Sequence, residues 1–72
     1  MNNEVINTLV NNEVINTLVI EYMKPYYLEW EKNGTSEEFI RGYKIAIEHV
    51  CLSIFGEDGF NIFTDKVKEK VK

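Results

Sequence analysis

Residues 35–56, TSEEFIRGYKIAIEHVCLSIFG, decide the fold. Apolar side chains recur at 39, 40, 43, 46, 47, 50, 51, 54 and 55, the i, i+3, i+4, i+7 stripe of an amphipathic helix. Asn33-Gly34 breaks the chain just upstream. Thr35-Ser36-Glu37-Glu38 then has the form of a capping box, with Thr35 as N-cap and Glu38 three residues on. Gly56 stands where a helix is commonly closed by a residue of positive φ. The spacing predicts a central helix over 36–55.

Downstream, Glu57-Asp58-Gly59 reads as a turn. Phe60, Phe63, Val67 and Val71 then fall on one face, which predicts a short C-terminal helix over 60–71. Its last turns are rich in lysine, favourable at the negative end of the helix dipole. Upstream, Val14, Ile15, Leu18, Val19, Tyr22, Met23 and Tyr26 keep helical spacing, and Pro25 interrupts it. Proline removes a backbone donor and clashes with the preceding turn, so the long N-terminal helix should be kinked or broken there. Residues 26–32 still carry a helical pattern beyond it. A hairpin of two EVINTLV strands about Asn11-Asn12 is the weaker alternative. The expected architecture is all-α, a single helical domain over 1–72 with three helices.

One feature disturbs this pattern. Residues 2–10, NNEVINTLV, are repeated without a difference at 11–19. Nine residues at about 100° each rotate a helix by half a revolution. If the second copy faces the core, a continuous helix places Val5, Ile6, Leu9 and Val10 on the opposite side. The first copy then has three options: a helical overhang covered by another chain, a frayed end, or capture of the core site with the second copy looped out. The overhang is the reading favoured here, because covering an apolar side chain contributes roughly 1.5–3 kcal/mol at full burial.

Composition narrows the function. Of 72 residues, 12 are acidic and 8 basic, giving a net charge of −4. That opposes binding to a phosphate backbone, so no nucleic-acid partner is expected. No apolar run is long enough to span a bilayer, so no membrane partner is expected either. The N-terminus lacks the basic and apolar regions of a signal peptide, and a lone thiol suits a reducing, cytoplasmic setting. One cysteine and one histidine give no disulfide and no Cys/His metal cluster, so no metal or other cofactor is expected. A chain this small needs a staple, and self-association, most simply a dimer, is the one left.

No catalytic group stands out. His49 and Cys51 are two residues apart on a helix, so their side chains diverge by about 200° and cannot act as base and nucleophile. Cys51 falls on the apolar stripe, where a small buried hydrophobe is the usual role. Gly42, Ile45, His49 and Leu52 follow the 3-4-3 spacing of a coiled-coil seam on another side of the same helix. Tyr27 and Trp30 are the aromatic types that favour protein interfaces. The candidate interface therefore comprises Val5, Ile6, Leu9, Val10, Tyr27, Trp30, Gly42, Ile45, His49 and Leu52. The expected function is that of a small acidic accessory or regulatory protein that acts by binding protein, without catalysis. Two alternatives are a helix-turn-helix-like nucleic-acid binder using Lys66, Lys68, Lys70 and Lys72, and a deliberate sequence duplication within a protein of otherwise unread role.

Overall fold

The computed structural model describes the backbone of residues 3–71 and the side chains of residues 12–71. Two helices account for nearly all of it: α1, Asn3–Tyr27, and α2, Glu37–Lys70. The all-α expectation holds, but the count of three does not. What the sequence suggests as separate central and C-terminal helices is one element, α2, bent at Gly56, where φ 70° and ψ −167° leave the helical region. Glu57, Asp58 and Gly59, expected as a turn, are helical. The break costs one residue rather than four.

The start of α2 also differs by one residue from the expected cap. Ser36, not Thr35, is the N-cap: it is extended at φ −66°, ψ 147°, and its hydroxyl accepts from the Phe39 amide at 3.2 Å. Glu37 and Glu38 then lie in the first turn and Lys68 and Lys70 in the last, both complementing the helix dipole.

Helix α1 runs unbroken from Asn3 through the second copy of the repeat and carries Pro25 in its last turn, neither kinked into a new segment nor ended there. It ends two residues later in a Schellman motif. The Trp30 amide donates to the Pro25 carbonyl at 3.0 Å and the Glu29 amide to that of Tyr26 at 3.2 Å. Glu29 is the residue with positive φ, 53°, a position glycine usually fills. Residues 28–34 are turns, not the helical continuation their pattern suggests. A second closure of the same form ends this linker. Thr35 donates to the Trp30 carbonyl at 2.8 Å and Gly34, at φ 96°, to that of Glu31 at 3.2 Å.

The second copy of the repeat occupies the core site. Ile15 and Val19 are buried together with Met23 of α1 and with Cys51 and Phe63 of α2. Leu18, Tyr22, Ile47, Phe55, Phe60 and Val67 pack around them. The bend at Gly56 is what brings Phe63 back to α1, where its ring meets that of Tyr22 edge-on at 5.3 Å. It also brings Gly59 against Phe55 and Ile15, with the Gly59 carbonyl 3.9 Å from the Cys51 thiol. A β-carbon at Gly59 would collide with that of Phe55, so the close approach requires glycine.

Candidate interaction surface

Two tyrosine–glutamate hydrogen bonds fix α1 on α2. Tyr22 donates to Glu48 Oε1 at 3.0 Å, and Tyr43 donates to Glu21 Oε2 at 2.9 Å. Glu21 is also paired with Lys24 at 2.8 Å, and these two partners, Lys24 first, hold its carboxyl below the usual range. Lys44 lies over the Tyr22 ring, 5.0 Å from its centroid. Burial, then the bond to Glu48, pushes the Tyr22 hydroxyl up to about 12. The α1–α2 seam thus has its polar side chains paired across the two helices.

The apolar stripe of α2 extends beyond this seam. It is only half covered. Cys51 is buried and Ile40, Tyr43, Ile47 and Phe55 are half-buried, but Phe39 (60% exposed), Ala46, Val50 (45%) and Ile54 (63%) lie open. Sequence periodicity assigns all nine positions to one core stripe; the single neighbouring helix covers one flank of it. At about 100° per residue the stripe is about 180° wide, broader than one partner helix can cover.

The candidate interface residues whose side chains are described fall into three places. Gly42, Ile45, His49 and Leu52 are all exposed on α2, adjoining the open half of the stripe. Apart from its own helical backbone, no described atom lies within 4 Å of where a β-carbon on Gly42 would stand, so no neighbouring element among the described residues approaches this glycine. Trp30 is half-buried: its ring meets Tyr43 at 5.0 Å and Phe39 at 6.0 Å, capping one end of the open stripe. Tyr27 is exposed and stands edge-on to Tyr26 at 5.7 Å, away from this group. Val5, Ile6, Leu9 and Val10 lie outside the residues whose side chains are described. Phe39, Ala46, Val50 and Ile54 join the candidates only through the structure. Their one sequence signal is an apolar stripe too wide for a chain with so little else to cover it.

The chemistry of the remaining groups is plain. His49 is exposed and Cys51 fully buried, so the two are on different sides of α2. Burial pushes the Cys51 thiol up, the reverse of an activated thiolate. Among the described residues, no three His, Cys, Asp or Glu side chains come together as a metal site, and no helix is long and apolar enough to cross a membrane.

Comparison of the chain with protein-family models, curated proteins and solved structures gave no match.

Proposed function

We propose that this chain is a small accessory or regulatory protein that works by binding protein through the open face of α2, without catalytic chemistry of its own. One observation carries the reading. Among the described residues five hydrophobic side chains are buried, whereas six bulky ones, Phe39, Ile45, Val50, Leu52, Ile54 and Ile62, are exposed along α2 alone. Of these, Phe39, Val50 and Ile54 line up with Ala46 in one strip, and monomeric proteins seldom leave a large contiguous apolar patch uncovered. The aromatic cap formed by Trp30, Tyr43 and Phe39 at one end adds side chains of the type that anchor protein contacts. A reducing, cytoplasmic compartment suits the unpaired Cys51.

The test is binding by the intact protein and by Val50→Glu, whose side chain is open enough to leave the core undisturbed. Affinity capture from the native host, together with the solution mass, is the readout. Partner binding or self-association lost in Val50→Glu and kept in Lys68→Glu supports the proposal. A monomer that captures nothing, or binding that is indifferent to Val50→Glu, overturns it.

A further inference from the structure

The open face of α2 has a pattern beyond its hydrophobicity. Phe39, Gly42, Ala46, Val50 and Ser53 succeed one another at spacings of 3, 4, 4 and 3 residues, and all are exposed. A two-fold axis through Ala46, perpendicular to the helix, brings residue n opposite residue 92 − n. Phe39 then lies opposite Ser53, Gly42 opposite Val50, and Ala46 opposite itself. Every bulky side chain meets a small one, which is how facing helices interdigitate at close range. The same axis sets the open Ile54 beside the aromatic end formed by Phe39 and Trp30. No residue of this strip is a carboxylate or an ammonium, so a net charge of −4 puts no like charges into the contact.

We infer that the occupant of this face is a second copy of the chain, whose α2 crosses the first antiparallel about a two-fold axis at Ala46. The inference rests on the protein-binding reading above and specifies its partner and register. Small residues at the crossing let the helix axes approach to about 8 Å, which brings the two Ala46 α-carbons within disulfide range.

Cysteine cross-linking tests the register, since the one native thiol, Cys51, is fully buried. Under mild oxidation, Ala46→Cys is expected to run mostly as a covalent pair. Gly42→Cys and Val50→Cys are each expected to remain single chains, but to cross-link when mixed in equal amounts. Ile62→Cys, exposed beyond the bend, sets the background. Equal self-linking at 42, 46 and 50 indicates a parallel pair and overturns the inference. So does cross-linking at 46 no higher than at 62, and so does a monomer mass for the unmodified chain at 100 µM. In the monomer case, capture of a different protein that Val50→Glu abolishes leaves the broader reading standing while the self-pairing falls.

Discussion

Replacing Gly56 by alanine should cost stability in a way that only the bend explains. Its φ of 70° with ψ of −167° lies in a region that side-chain-bearing residues essentially do not enter. Apart from the adjoining backbone, no described atom lies within 4 Å of the site a β-carbon would take, so the penalty is one of backbone conformation, not of collision. Holding such a residue there costs about 1–3 kcal/mol. For a domain of this size about 2 kcal/mol corresponds to a fall in Tm of roughly 8–16 °C. The chain can escape part of that cost by straightening α2, but straightening withdraws Phe63 from Ile15, Val19 and Met23 and uncovers Cys51. The assay is urea unfolding followed by helical circular dichroism, with the rate of Cys51 modification by a thiol reagent measured under native conditions. Gly56→Ala is expected to lower the midpoint and to speed Cys51 labelling. Gly42→Ala is the internal control, made in the single-chain Val50→Glu background because Gly42 itself lies on the proposed contact: the position is helical and open, so alanine there should add roughly 0.5–1 kcal/mol to the chain's own stability. The sign is what decides. If α2 were an uninterrupted helix, alanine at 56 would stabilise as it does at 42, and a raised midpoint for Gly56→Ala would show the bend to be wrong.

Three further outcomes are expected. Gly59→Ala should destabilise by about 1–3 kcal/mol, because the added methyl meets the Phe55 β-carbon rather than a movable side-chain end; an unchanged urea midpoint would contradict the packing of 59 on 55. Tyr22 holds its proton more tightly folded than unfolded, about 12 against about 10, so its contribution is complete below pH 10 and is lost as pH rises from 10 to about 12. Unfolding free energies measured across that window should decline more steeply for the parent than for Tyr22→Phe, and equal slopes would remove the Tyr22–Glu48 bond as the cause. Deleting residues 2–10 should leave a cooperatively folding chain, because the described core begins at Ile15; loss of cooperative unfolding in the deletion would mean that the first copy is part of that core.

Much of this architecture can be read along the chain, because it depends on local rules. The helical stripe of 39–55, the break at Gly56 and the buried place of Cys51 follow from spacing and from glycine's backbone freedom. The misreadings come where local signals compete or where distance in sequence hides proximity in space. Thr35 and Ser36 are both good caps, and only the position of the Phe39 amide chooses Ser36. Gly59 looks like a turn residue but is helical, and its small size answers to Phe55 and Ile15 across the bend. The helical pattern of 26–32 is overruled once Pro25 is spent in the last turn of α1 and Glu29 turns to positive φ. For the interaction surface, composition gives the apolar residues of α2 but not which flank α1 covers. That choice depends on Tyr22 finding Glu48 and Tyr43 finding Glu21, contacts between residues 26 and 22 positions apart.

The open face of α2 is tested most directly by sedimentation equilibrium on the intact chain, Val50→Glu and Ile62→Glu, each checked for unchanged helicity. Both positions are exposed to a similar degree, 45% and 42%, but only Val50 lies on the proposed contact. The parent and Ile62→Glu are expected at about twice the 8.5 kDa chain mass, and Val50→Glu at the single-chain mass. A pair that survives Val50→Glu as well as it survives Ile62→Glu would contradict the assignment of this face as the site of association.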